Sequence, residues 1–358
     1  MFDRSRGPRR TLRLIALTGV VLVVIVGLVG AGLLVIRQID PAGRAALSGP
    51  DRPRAAVSPA NGVFRGTSLA DVRAYQKWFG GTVDRIVDFS TRETWADVAD
   101  PQYMLDEWKG SGLLPVYSVA LLPDKVPSET IQRGAAGDYD QYYAQLAQHL
   151  IAAGQPNAIL RLGWEFNLES SRWSTSDSTA FIAYWRRIVT AMRAVPGQHF
   201  QFDWNPNNGH NKYDAVHYYP GDDVVDYIGV DAYDVSYAFR TYPYPASCDA
   251  QCRTGRQTRA WNKSVYGGQR GLKFWSAFAR RRGKPMSIPE WGLWNRLDGH
   301  GGGNDPAYLS RMHGFIADPT NAVAYQAYFE FDGSDGPHRL MTTFTASGDT
   351  FRALFARP

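Results

Sequence analysis

The chain has 358 residues, 44% of them hydrophobic and 13% aromatic, with 39 Lys and Arg against 34 Asp and Glu for a net charge of +5. That length can hold one large domain or two average ones, and length alone does not decide between them. The positive excess is local: residues 1–54 hold nine arginines and three aspartates, a net of +6, which leaves −1 for residues 55–358. The folded part therefore lacks the basic footprint of a nucleic-acid binder, and no nucleic-acid partner is expected.

Arg4, Arg6, Arg9, Arg10 and Arg13 precede Leu14–Ile36, a run of 23 residues without a charge. At about 1.5 Å per helical residue this run spans a bilayer core of roughly 30 Å. The basic flank predicts a single-pass signal anchor in the cell membrane, with residues 1–13 cytoplasmic and the rest of the chain outside. A cleaved secretory signal is the alternative, but its apolar core is usually about 7–15 residues. Here the small residues Gly27, Gly30, Ala31 and Gly32 are followed by further apolar sequence, which places a cleavage site poorly. Residues 37–60, with Pro41, Pro50, Pro53 and Pro59 and no apolar period, read as an extracytoplasmic linker.

From residue 61 to 358 short apolar runs alternate with amphipathic stretches. Strands are predicted at 62–67, 83–89, 113–119, 158–164, 200–204, 224–230, 285–289 and 322–331. Helices are predicted at 69–79, 94–109, 139–153, 177–194, 273–282, 306–316 and 350–356. Eight strands alternating with helices over about 300 residues predict an α/β domain, a (β/α)8 TIM barrel, preceded by the transmembrane helix. An open doubly wound sheet is the alternative, but no Gly-x-Gly-x-x-Gly follows the first strand.

Two glutamates end apolar runs beside tryptophan: Glu165 in Arg161-Leu-Gly-Trp-Glu-Phe-Asn167 and Glu290 in Ser287-Ile-Pro-Glu-Trp-Gly292. A buried carboxylate is costly unless it is paired or used, and glycosidic cleavage uses two. On the barrel reading Glu165 ends the fourth strand and Glu290 the seventh, so both face one mouth at the C-terminal end. A structural ion pair between Arg161 and Glu165 is the competing account of Glu165, and a turn-capping role that of Glu290. Trp164, Trp173, Trp204, Trp291 and Trp294 fall at or beyond strand ends, where indole faces could carry sugar rings. Asp203, Asn205 and Asn207 add hydrogen-bonding groups near the same mouth, and Asp88, Asp231 and Asp332 end other strands.

Cys248 and Cys252 are expected to form a disulfide outside the cytoplasm, since the scattered histidines supply no matching zinc ligands. His300-Gly-Gly-Gly303 resembles a lipase oxyanion loop, but no Gly-x-Ser-x-Gly elbow accompanies it. No metal, cofactor or obligate protein partner is expected.

The pattern Arg161-x-x-x-Glu165-x-Asn167, with Val230-Asp-Ala-Tyr-Asp234 on the sixth strand and Glu290-Trp-Gly on the seventh, resembles glycoside hydrolase family 26. That family belongs to the retaining clan A barrels and is best known for β-mannanases; the resemblance runs over roughly residues 62–335. It implies a (β/α)8 fold with Glu165 as acid/base, Glu290 as nucleophile and Tyr233 orienting Glu290. Arg161, Trp164, Asn167, Trp204, Asn205, Tyr233, Trp291 and Trp294 complete the expected substrate site. Family 26 members usually carry histidine immediately before the acid/base, where this chain has Trp164. The expectation is therefore a tethered retaining hydrolase of a β-linked poly- or oligosaccharide, with the sugar left open. A non-catalytic carbohydrate-binding barrel and a transglycosylase of cell-envelope glycan are the alternatives.

Overall fold

The computed structural model of the chain describes residues 58–356, and the expected membrane segment Leu14–Ile36 lies outside the described residues. Among the described residues no helix is long and apolar enough to cross a membrane. Each expected apolar run forms part of one parallel sheet: β1 Ala60–Phe64, β2 Arg85–Phe89, β3 Leu114–Val119, β4 Ile159–Leu162 and β5 Gln201–Trp204. They are followed by β6 Tyr227–Gly229, β7 Ala232–Tyr233, β8 Met286–Gly292 and β9 Val323–Phe329. Neighbours pair in the order β6-β5-β4-β3-β2-β1-β9-β8-β7, and a further β6–β8 pairing closes the ring. Because β6 and β7 are two pieces of one staggered strand, both pairing with β8, the result is an eight-stranded parallel barrel.

The helices lie between strands in sequence: α1 Leu69–Phe79, α2 Trp95–Ala99, α3 Gln102–Trp108, α4 Ile131–Ala136 and α5 Asp140–Ala152. Then come α6 Ser178–Arg193, α7 Ala250–Ala260, α8 Leu272–Arg282, α9 Pro306–Ala317 and α10 Thr345–Phe355. The single helix expected at 94–109 is two, because Pro101 lacks the N–H that a continuous helix requires. A reciprocal cap between Thr94 and Asp97 starts the first of them. Helices α4 and α7 are additions to the sequence expectation. In α7 only Ala260 is buried, so its sequence carries no apolar period to reveal it.

Strand alternation sorts side chains into two layers. Val63, Ile86, Leu160, Phe202 and Ile228 face outward into a core shared with helical residues such as Tyr75, Leu146, Tyr184 and Trp275. Phe64, Val87, Val116, Ile159, Tyr227 and Tyr325 instead pack together inside the barrel. Ser118 and Arg161 follow Val116 and Ile159 by two residues, so they face the same interior one layer nearer the C-terminal mouth. Apolar filling thus gives way to polar groups on the way to the mouth, where a site can form.

Strand β8 breaks the alternation once. Ile288 pairs with Gln326 and Trp291 with Tyr328, so β8 uses three residues where β9 uses two. The extra residue is a bulge around Pro289 and Glu290, a device that re-aims side chains beside active sites. It lets Ile288 and Trp291 both pack outward while Glu290 reaches the interior.

Candidate active site

Arg161 organises the centre of the mouth. Its side chain is fully buried, so its charge must be met by protein groups. Nε donates to Asn205 Oδ1 at 2.6 Å and Nη1 to Ser118 Oγ at 2.7 Å. Nη2 donates to both Asp231 Oδ2, at 2.7 Å, and Glu290 Oε1, at 2.5 Å. Tyr233 Oη donates to Glu290 Oε2 at 3.1 Å, so both oxygens of Glu290 are held by donors. Asn205 Nδ2 donates to Asp231 Oδ1 at 3.2 Å, tying the second carboxyl to the same frame. Burial is the main reason that Asp231 is held well above the usual carboxylate range; Glu290 and Glu165 push the same way, and Arg161 opposes them.

Glu165 arrives by a different route. Strand β4 ends at Leu162, Gly163 turns the chain with φ +61°, and Glu165 itself sits at φ +51°. This left-handed conformation costs a non-glycine residue about 1–2 kcal/mol. The Glu165 N–H is secured by Asn205 O at 2.8 Å, and Glu165 Oε1 accepts from Asn207 Nδ2 at 2.5 Å. Asn207 is itself fixed: its N–H donates to Asn167 Oδ1 at 2.8 Å and its carbonyl accepts from Asn167 Nδ2 at 3.0 Å. Burial, with the charge of Glu290 second, pushes the Glu165 carboxyl up to about 7, while Asn207 and Arg161 restrain the rise.

Both glutamates line a cavity of about 710 Å³ together with Asp231, Tyr233, Trp294 and His338. The Trp294 ring lies 5.3 Å from Tyr233 and 4.7 Å from His338, forming an aromatic wall. His338 Nδ1 lies 2.8 Å from the Leu293 carbonyl, which can only accept, so Nδ1 carries the hydrogen. Burial lowers His338 to about 4, keeping the ring neutral.

Of the expected substrate-binding residues, Tyr233 and Trp294 stand beside the two glutamates; the others are placed differently. Trp204 is fully buried on the outer face of β5, against Phe166 and Trp275, with Nε1 on the Tyr218 carbonyl. Trp291 is likewise buried, among Tyr328, Phe351 and Phe355. Both point outward because their inward neighbours are Asp203 and Glu290, so neither is a sugar platform. Trp164 packs edge-on against Phe89 and Trp173, with Arg92 over its ring, and does not line the cavity. Buried Trp173 supports it through a bond from Nε1 to the Trp164 carbonyl. Arg161, Asn167 and Asn205 are buried behind the cavity and act through Glu290, Asn207 and Asp231. The alternative pairing of Arg161 with Glu165 is replaced by the ion pair with Glu290.

Asp203 lies deeper, bonded by Ser287 and Tyr325, and Asp88 is buried on Trp108 and Thr67, away from the cavity. Asp332 accepts from the His338 N–H at 2.9 Å. Cys248 and Cys252 form a disulfide next to the start of α7. His338 and Phe329 join the cavity without having been foreseen, since neither belongs to a motif around the glutamates.

The model for glycosyl hydrolase family 26 matches residues 137–244, which include Glu165, Asn207 and Tyr233. Among solved structures the chain is similar to GH26C from Muricauda sp. MAR_2010_75, at 16% identity and a TM-score of 0.59 over 84% of this chain and 86% of that one. It is similar to a modular endo-β-1,4-mannanase from Cellulomonas fimi at 17% identity and a TM-score of 0.58, covering 85% and 71% of the two chains. Fungal β-1,4-galactanases share the fold at 14% identity and a TM-score of 0.52, over 83% of this chain and all of theirs. No curated protein matches the sequence. A parallel eight-stranded barrel with a family 26 segment defines a glycoside hydrolase. The chain carries a glycosyl hydrolase family 26-like catalytic domain.

Proposed function

We propose that the protein is a retaining β-glycanase that cleaves a β-linked polysaccharide by double displacement, with Glu165 as acid/base and Glu290 as nucleophile. The observation that carries this reading is the contrast across one cavity: Glu165 is pushed up to about 7, while Glu290 is held by a guanidinium and a phenol. Near neutral pH Glu165 keeps a proton for the leaving glycosidic oxygen. The Glu290 carboxylate attacks the anomeric carbon as the glycosidic C–O bond breaks and the leaving oxygen takes that proton. Glu165, now ionised, removes a proton from water, which displaces Glu290 and releases the sugar with its configuration retained. The β-1,4-mannanase and β-1,4-galactanase names of similar structures support β-linked polysaccharide as the substrate class.

Leu14–Ile36 tethers the enzyme to the membrane with the barrel outside, a reading supported by its uncharged length and the arginines before it. A short linker would confine the barrel to glycan near that surface. A 2-fluoro glycoside of the cleaved sugar tests the chemistry. Mass spectrometry of the inactivated protein should place the label on Glu290, and a label on another residue sinks the assignment.

A further inference from the structure

The loop that carries α7 holds a feature that the two-glutamate chemistry does not use. Helix α7 continues into a π-helical turn, Trp261–Val265, and together they present Arg253, Arg256, Arg259 and Lys263. Among the described residues none of these four cations has a carboxylate partner within 4.0 Å. Arg253 lies over the Tyr244 ring, and Arg256 donates to the Thr241 carbonyl at 2.7 Å. Arg259 and Lys263 are exposed. The spacing 256, 259, 263 sets three of the charges along one helix face.

An unpaired cation row is ordinarily a solvated face, but this one leads into the catalytic cavity. Lys263 and Ser264 line the cavity that holds Glu165 and Glu290. The π turn that presents them is anchored there: Ser264 Oγ lies 2.7 Å from Ser236 Oγ, and Asn208 Nδ2 donates to the Val265 carbonyl at 3.0 Å. π turns of this kind gather at functional sites. Beside Ser236, Tyr237 also lines the cavity and is 64% exposed, with its ring stacked on His300 and its hydroxyl on Asp298. An exposed aromatic face beside free cations suits a sugar ring that carries a negative charge.

We infer that the substrate is an acidic glycan, whose carboxylate or phosphate groups lie along Lys263 and Arg259 while a neighbouring sugar stacks on Tyr237. This inference rests on the glycanase reading and narrows its substrate. Charge on the glycan would meet the row as it approaches, so recognition would weaken with salt.

The test uses the detergent-solubilised full chain with matched probes: β-1,4-mannuronan (carboxylates), phosphorylated β-1,4-mannan and neutral β-1,4-manno-oligosaccharides. Calorimetric binding and kcat/KM are both measured. At low salt the wild type should favour one of the acidic probes over the neutral one. The double variant Arg259→Gln/Lys263→Gln should lose at least about tenfold of that preference, equal to about 1.4 kcal/mol. Arg259→Lys/Lys263→Arg should restore it, and about 0.5 M salt should abolish it in the wild type. Whichever acidic probe responds identifies the anionic group.

An unchanged acidic-to-neutral ratio in the double variant overturns the inference, as does failure to bind either acidic glycan. Dependence on these residues for phosphatidylglycerol micelles alone would make the row a lipid-docking face and also overturns it. Salt-sensitive binding of an acidic glycan with no hydrolysis of any probe upholds the inference and removes the glycanase reading. Cleavage of the neutral probe with no acidic preference does the reverse.

Discussion

The two glutamates face one cavity but are held in opposite ways. Glu290 is aimed by a bulge in a strand and gripped by side chains from two others, Arg161 of β4 and Tyr233 of β7. Glu165 stands beyond its strand, on left-handed backbone, with one amide donor from Asn207. The difference teaches that the site grips one carboxyl group with a charged donor and leaves the other on a neutral one. A guanidinium and a phenol surround one, whereas burial and the neighbouring negative charge push the other up to about 7.

The largest test of this asymmetry removes each glutamate in turn. Glu290→Ala should lower kcat on the order of 10⁴-fold or more for every substrate, and added azide should yield glycosyl azide of inverted configuration. Glu165→Ala should lose about 10²–10⁴-fold on polysaccharide but much less on an aryl glycoside with a good leaving group. With that substrate, azide should give the retained product. Identical behaviour of the two variants would erase the proposed division of roles.

Arg161→Met attacks the side chain on which the Glu290 half depends. Two buried carboxyl groups, Asp231 and Glu290, would lose their shared cation, at about 3–5 kcal/mol of stability. Thermal unfolding should show Tm lowered by about 10 °C or more. Asn207→Ala is the smallest change and acts on the Glu165 half. The amide bond favours ionised Glu165, so removing it should move the alkaline limb of kcat/KM, near pH 7, upward by about one pH unit.

Stability carries the same sign information. Glu165 binds its proton more tightly in the folded chain, at about 7, than at its ordinary 4.5, so stability falls as pH rises through that window. Relative to Glu165→Gln, the wild type should lose Tm between these values and match the variant's trend outside them.

The barrel was legible because each strand is an apolar run bounded by turn residues, and both glutamates reach the expected common mouth, although Glu165 stands past the end of β4 and Glu290 within β8. What misled was assigning side chains to the mouth by sequence proximity to those ends. Trp204 and Trp291 fall on the outer face by simple alternation with Asp203 and Glu290, a signal that was available. The bulge at Pro289 and Glu290 was not available, because Pro289 alone does not announce an extra residue. Arg161 and Glu165 appeared to share a face only if the strand continued; Gly163 ends it and breaks the relation. Lys263 was invisible for another reason: α7 buries almost nothing, so neither the helix nor its approach to the cavity has an apolar signature.

The backbone at Glu165 has a consequence for how such barrels drift. A residue that prefers the left-handed region, glycine or asparagine, would relax position 165 and make the fold more heat-resistant while removing the proposed acid. Selection for turnover and selection for endurance therefore oppose each other at this one position. A relative of this chain that carries glycine or asparagine there should be the sturdier protein and hydrolytically silent, a lineage that kept the scaffold after its chemistry was retired.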